Sequence, residues 1–255
     1  KGQTRARVAI NNSVNSTIVV GANKYLNFTH NDYLGLSHHP KIIESFISGA
    51  KHYGFGSGAS GVVSGYFDVQ QMLETRFAEW LQVDRAILFN SGYLANIGAI
   101  AALLGRTDTV LADKYCHASL LDGIQQSRAK HYRYKHNSIS DLVRLLKARK
   151  PDVVITESVF SMEGDIAPMQ KIIAAANQHR ASVIIDDSHG IGVLGKNGRG
   201  IYEEANIKQH QITCLIAPLG KAFNGMGAIV AGEKNTIETV LQFARTYRYT
   251  TALPP

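Results

Sequence analysis

Hydrophobic positions in this chain follow two periods. From 69 to 83, VQQMLETRFAEWLQV, apolar side chains recur every three to four residues, which predicts a helix with one buried face. HPKIIESFISGAKHYG (39–54) has the same spacing, with Pro near its start and Gly at its end, and reads as another helix. LANIGAIAALLG (94–105), DLVRLLKAR (141–149) and MQKIIAAANQHR (169–180) complete the helical set. Between them stand short apolar runs of strand length: RAILFN (85–90), a stretch inside DTVLADKYC (108–116), PDVVITESVF (151–160), ASVIIDD (181–187), ITCLIAP (212–218) and GAIVAG (227–232). Near the N-terminus, RVAINNSVNSTIVVGANKYLNF (7–28) predicts short strands joined by Asn/Gly turns.

Strand–helix alternation through the second half predicts an α/β fold with a mainly parallel central sheet. Such sheets collect ligands beyond the carboxyl ends of their strands. Three segments follow strand ends: Asn90–Tyr93, Ser158–Ser161 and Asp186–His189. They are expected to converge on one crevice.

Composition narrows the class. Of 255 residues, 45% are hydrophobic and 18% charged, a globular balance rather than a disordered one. Lys and Arg outnumber Asp and Glu by 27 to 20, for a net charge of +7, which favours anionic partners such as phosphates, coenzyme A or an acidic carrier protein. No basic cluster is interleaved with aromatics, so nucleic acid is not the expected partner. No apolar run reaches membrane-spanning length, and the first residues do not read as a signal peptide. Cys116 and Cys214 are the sole cysteines; a reduced, cytoplasmic chain is expected over a disulfide.

The chemistry is carried by four stretches. Gly56-Ser57-Gly58-Ala59-Ser60-Gly61 matches the dinucleotide fingerprint, but it follows a helix rather than a strand, so a close-packed glycine loop is expected and a nicotinamide-linked dehydrogenase is a distant reading. Ser91-Gly92-Tyr93 lies at a strand-to-helix junction, where free amides and the helix dipole favour an anion, although an ordinary turn would look the same. Lys221, among Leu219, Ala222 and Phe223, is placed for desolvation, which lowers an amine's pKa and frees it as a nucleophile. Asp186 and Asp187 end an apolar strand and call for a cation, since buried carboxylates are costly alone. A protonated pyridine of pyridoxal phosphate (PLP), Schiff-based on Lys221, would satisfy Asp186. A helix cap, a salt bridge, or a metal held by Asp186, Asp187 and His189 are the alternatives.

NDYLGLSHHP, GSGASGVVSG, FNSGYLAN, DKYCHASLLDG, TESVFSMEGD, DDSHGIGVLGKNGRG, GKAF and YTTALPP together resemble the α-oxoamine synthases, from about Arg5 to Pro255. That resemblance implies a PLP-dependent transferase of fold type I (aspartate aminotransferase-like). It implies an N-terminal arm over 1–33 and a PLP-binding large domain over 34–255; the family's C-terminal small domain, with an arginine for the amino-acid carboxylate, is expected to lie outside this sequence. GSGASGVVSG and YTTALPP resemble the biotin-pathway branch. Its members condense L-alanine with pimeloyl-CoA or pimeloyl-acyl carrier protein, release CO2 and form 8-amino-7-oxononanoate. Glycine C-acetyltransferase is the runner-up, and a non-catalytic PLP-fold partner subunit the alternative from another class.

Carried over position by position, the resemblance makes Lys221 the Schiff-base lysine, Asp186 the partner of the pyridine nitrogen and His189 a partner of the ring hydroxyl oxygen. His117 matches the imidazole stacked on the ring. Gly92 and Tyr93 match the phosphate turn, Ser161 a cofactor-contacting serine and Glu157 a cofactor-side acid. Asn31 and Arg5 (or Arg7) match substrate-binding positions, and Thr250 and Thr251 reach the phosphate of a partner subunit, implying a homodimer with a shared active site. No metal is implied. Two positions depart from the pattern. Pro218 stands where the family has Ser or Thr, which removes a phosphate hydroxyl partner, a loss of roughly 1.5–3 kcal/mol. Asn224 replaces a common glycine.

Overall fold

The computed structural model describes residues 6–14 and 16–255. The N-terminal region forms a small antiparallel sheet, β1 (Asn12–Val14), β2 (Thr17–Val20) and β3 (Asn23–Leu26), followed by α1 (Pro40–Tyr53) and α2 (Asp68–Leu81). Then come β4 (Arg85–Phe89), α3 (Gly92–Leu103), β5 (Thr109–Asp113), α4 (Ala118–Ser127), β6 (Lys130–Tyr134), α5 (Ile139–Arg149), β7 (Val153–Glu157), α6 (Met169–Gln178) and β8 (Ser182–Asp186). The chain continues through a short α7 (Ile201–Glu204), β9 (Cys214–Pro218), β10 (Ala228–Gly232), α8 (Lys234–Phe243) and a single turn, α9 (Arg245–Arg248). The expected helices and strands are present; α4, β6 and α8 have weaker patterns and are additional.

Seven strands form the central sheet in the order β4-β10-β9-β8-β7-β5-β6. β8 is parallel to β7 and β9, and β5 is parallel to β6 and β7. β10 runs antiparallel to both β4 and β9. The expected mainly parallel α/β sheet is therefore observed, with β10 the exception. A tight connection explains it: residues 219–227 return the chain directly, and antiparallel neighbours need no crossover helix.

Strand residues alternate between two apolar layers. Val154, Val183, Ile185, Leu215 and Ala217 join one layer with α2, α5 and α6. Ile155, Ile184, Cys214, Ile216 and Val230 join the other with α3, α4 and α8. The sheet is thus buried on both faces, which is why its strands read as continuous apolar runs rather than alternating ones. Cys116 and Cys214 are buried and unbonded.

Candidate active site

Strand parity decides which acids face which layer. Ile184 lies on the α3/α4 side and Ile185 opposite, so alternation turns Asp186 toward α3 and α4 and Asp187 away. Asp187 Oδ2 accepts the Ile201 amide at 3.0 Å, at the start of α7; burial pushes its carboxyl up to about 7. The two aspartates face opposite layers, so one ion could not be held by both, which removes the metal alternative built on the pair. Among the described residues, no group of three or more His, Cys, Asp or Glu could hold a metal.

On the α3/α4 side, the carboxyl ends of β4, β7, β8 and β9 frame a cavity of about 330 Å³, within the roughly 300–1,000 Å³ of small-molecule sites. Asn31, Gly92, Tyr93, His117, Glu157, Asp186, His189, Pro218 and Lys221 all line it. The sequence therefore brings together most of its expected site residues. Asn90–Tyr93 and Asp186–His189 converge as expected. Ser158–Ser161 does not. Only the preceding Glu157 reaches the cavity, because Phe160 is drawn into the opposite layer and a turn leaves Ser161 exposed outside the cavity. Thr250 and Thr251 also lie outside it; the Thr251 carbonyl accepts from Asn90 Nδ2 at 2.6 Å. Arg5 lies outside the described residues. Arg7 is exposed and does not line the cavity.

Lys221 occupies the β9–β10 connection, with Nζ 2.8 Å from His189 Nε2. Burial lowers the amine's pKa, with Asp186 and Glu157 opposing the shift. Burial, reinforced by Lys221, pulls His189 down to about 4. Its ring is therefore neutral near pH 7: Nε2 accepts from Lys221, and Nδ1 donates to the Tyr33 hydroxyl at 2.7 Å. Tyr33 in turn donates to Asn31 Oδ1 at 3.2 Å. Glu157 pairs in register with Asp186 on the neighbouring strand. Burial first, and then the charge of Asp186, raises Glu157 to about 8, so it is largely protonated at neutral pH. Asp186 accepts the Ser188 amide at 2.9 Å and the Asn96 side chain at 2.7 Å. Two hydrogen bonds to one oxygen each keep this acid suited to a cationic partner.

At the other end of the cavity stands the start of α3. Ser91 caps it, taking the Leu94 amide on its side chain and the Ala95 amide on its carbonyl. The amides of Gly92 and Tyr93 are the remaining orphan donors of the first turn. Pro218 packs directly against this turn: a Cβ at Gly92 would lie 2.5 Å from Pro218 Cγ. Glycine at 92 and the unusual proline at 218 are thus structurally linked. A lysine, a buried carboxylate and a helix N-terminus facing one cavity match an aldehyde, a ring nitrogen and a phosphate, the three polar features of PLP. The donor set fits that group without a hydroxyl at 218.

The glycine fingerprint has a different use. Ser57 Oγ donates to the Ala252 carbonyl at 2.7 Å, Ser60 Oγ to the Arg248 carbonyl at 2.8 Å, and the Ala252 amide to the Ala59 carbonyl at 2.9 Å. The loop is a docking surface for residues 248–252 rather than a dinucleotide cradle. Sequence reasoning missed Tyr33, Asn96 and Ser119. Asn96 carried a signal, being a lone polar side chain inside an apolar helix.

Residues 23–255 match the family model for aminotransferase class I and II. The 8-amino-7-oxononanoate synthase of Saccharophagus degradans is 46% identical over 254 residues, covering 98% of this chain and 64% of the relative. That of Thioalkalivibrio sulfidiphilus is 42% identical over 257 residues, covering 100% and 66%. Among solved structures, serine palmitoyltransferase from S. paucimobilis with a bound PLP–myriocin aldimine superposes with a TM-score of 0.91 at 31% identity, over 97% of this chain and 63% of that one. The Francisella tularensis 8-amino-7-oxononanoate synthase gives 0.80 at 40% identity, over 89% and 64%. The chain thus spans just under two thirds of the length of these relatives. Its sheet and its neighbours place it in fold type I of the PLP-dependent transferases, and the chain belongs to the class I and II aminotransferase family.

Proposed function

We propose that this protein binds PLP in the cavity at the strand ends and condenses L-alanine with a pimeloyl thioester, carried on coenzyme A or acyl carrier protein, to give 8-amino-7-oxononanoate, CO2 and free thiol. The observation that carries the reading is the joint placement of Lys221, Asp186 and the α3 N-terminus around one cavity, in a chain whose curated relatives bear that enzyme's name. Residues 34–255 would form the cofactor-binding domain and 1–33 the arm that brings Asn31 and Tyr33 to its rim.

Bound there, PLP supplies an electron-withdrawing ring that stabilises negative charge on the amino acid's α-carbon. The chain's own groups do the rest. Lys221 Nζ, its pKa lowered by burial, is the nucleophile toward the aldehyde and the base that takes the α-proton. Asp186, on the cavity wall, would hold a proton on the ring nitrogen. His189, which accepts from Lys221, would be the partner of the ring hydroxyl oxygen. The amides of Gly92 and Tyr93 receive the phosphate. His117, on the cavity wall, covers one ring face. Asn31 meets the substrate carboxylate; Ser161, Thr250 and Thr251 keep proposed roles outside this cavity, the threonines toward a second copy, and Arg5, outside the described residues, keeps its proposed role in substrate binding. No helix is long and apolar enough to cross a membrane among the described residues; a cytoplasmic homodimer is the setting this reading entails.

In the full-length protein, Lys221→Ala should lose both the visible absorbance of bound cofactor and its covalent retention after borohydride reduction. Mass spectrometry of products from alanine or glycine with a panel of acyl thioesters then tests the substrate. Product from glycine and acetyl-CoA alone would transfer the assignment to glycine C-acetyltransferase. A Lys221→Ala variant that turned over at the parental rate would end the reading.

A further inference from the structure

We propose that Asn96 and Ser119 are positioning residues: they tie the Asp186 carboxylate to the His117 imidazole and hold His117 in the tautomer protonated on Nε2. The inference rests on the function proposed above for its consequence, but not for its geometry.

The link is built by helix packing. Asn96 lies in the second turn of α3 and Ser119 in the first turn of α4. The two helices cross closely at Gly123, where a Cβ would lie 3.0 Å from the Asn96 carbonyl oxygen and 3.1 Å from Ile100 Cβ. That approach, with the strand parity of Asp186, puts three elements within hydrogen-bond reach. Asn96, Ser119 and Asp186 are 2%, 1% and 2% exposed, so water does not compete for these bonds.

Donor bookkeeping fixes the direction of every bond. The Asn96 amide nitrogen carries two protons. One goes to Asp186 Oδ2 at 2.7 Å and the other to Ser119 Oγ at 2.8 Å. A flipped amide would press its oxygen on the carboxylate, so only this orientation is consistent. Ser119 Oγ, having accepted from Asn96, turns its own proton to His117 Nδ1 at 2.7 Å. The Ser119 backbone amide also reaches Nδ1, at 3.2 Å. A backbone N–H can only donate, so Nδ1 is an acceptor and the proton of the neutral ring resides on Nε2. Asn96 Oδ1 is buried without a hydrogen-bond partner. The residue thus keeps one costly orphan atom while both of its protons are committed, as expected of a group retained for those two donations.

Two consequences follow for the reaction. His117 offers an N–H donor at Nε2, suited to a carbonyl or carboxylate oxygen of substrate. Asp186 cannot rotate away from the ring nitrogen without breaking the chain that also orients His117.

The test uses the full-length protein. In mildly alkaline buffer, 15N spectra of histidine-labelled, cofactor-free protein, assigned by comparison with His117→Gln, should show His117 protonated on Nε2. A ring protonated on Nδ1 would overturn the proposal, whether or not the protein binds PLP. For the coupling, PLP affinity is measured by absorbance titration. Asn96→Ala should weaken it roughly tenfold and Ser119→Ala roughly threefold, on the scale of hydrogen bonds to a charged group and to a neutral one. The double variant should be no weaker than Asn96→Ala alone, because the two residues act in one chain. Ser119→Thr should restore the lost affinity. Additive effects, or no loss in Ser119→Ala, would overturn it; the latter arm stands even if Asn96→Ala fails to fold. Failure of the parental protein to bind PLP would instead remove the functional reading and leave the tautomer result intact.

Discussion

Helices α1 and α2 have the same length, fourteen residues, and similar amphipathic spacing, yet they end in opposite situations. α2 buries Phe77, Ala78 and Leu81 against the sheet, and even its Glu74 is buried, bonded by Tyr66 at 2.5 Å and by the Leu88 amide at 2.7 Å. α1 buries no residue; Ile42, Ile43, Phe46 and Ile47 stay exposed. Periodicity therefore specifies a helix and an apolar face, but not what covers that face. In α2 the cover is the chain's own sheet. In α1 it must come from elsewhere, and the same is true of Phe28 and Phe55, which are 90% and 99% exposed. The molecule divides into a self-sufficient layered body and an N-terminal region whose apolar surface is unmet.

The largest expected effect belongs to the body. Ile155, fully buried in β7 between α3/α4-side neighbours, should cost about 2–5 kcal/mol when changed to Ala. Urea denaturation of the 255-residue chain reads it directly. A loss no larger than that of a surface substitution would show that the layered core is not the stabilising unit.

A smaller effect comes from the body's edge. His136, in the turn after β6, bridges Asp113 and Asp165 at 2.9 Å each and stacks on Tyr115. Burial opposes its charge, but the hydrogen bonds and charges of the two aspartates prevail and raise its pKa above 6.5. A folded pKa above the unfolded value means stability fully present below the unfolded value and lost as pH rises through the folded one. His136→Asn should lower stability by about 1–2 kcal/mol at pH near 6 and flatten the decline on going alkaline, as measured by denaturation midpoints at several pH values. An unchanged slope would remove the charged bridge from the account.

Much of this division was legible beforehand. Strand–helix alternation announced a mainly parallel sheet, and the charged end of β8 announced the site. Parity, visible in VIIDD itself, separates the roles of Asp186 and Asp187, although the sequence could not say which layer each would enter. Ser161 lies outside the cavity because four residues past a strand end say nothing about direction once Phe160 turns inward. Asn96 and Ser119 escaped notice because Asn96 bonds to Asp186, 90 residues away, and meets Ser119 across a helix crossing that no local pattern encodes. The glycine fingerprint was legible as a close-packed loop from its place after a helix, but its partners, Arg248 and Ala252, are distant and were not.

The smallest effect on the chain's own stability is the most informative about the comparison. Phe46 is 77% exposed on α1. Changing it to Ser removes no contact with the buried core, so the unfolding free energy of the isolated chain should move by less than about 0.5 kcal/mol. If a second copy covers α1, Phe46 becomes an interface side chain, and aromatic anchors at such positions typically carry about 2 kcal/mol or more. The same substitution in the full-length protein should then weaken self-association by more than roughly tenfold, seen as a monomer shift in sedimentation at a concentration where the parent remains paired. A parent that sediments as a monomer would mean that the unmet face is covered by something other than a second copy. A Phe46→Ser variant that destabilised the isolated chain as much as Ile155→Ala would mean that α1 is already packed, and the contrast between the two helices would dissolve.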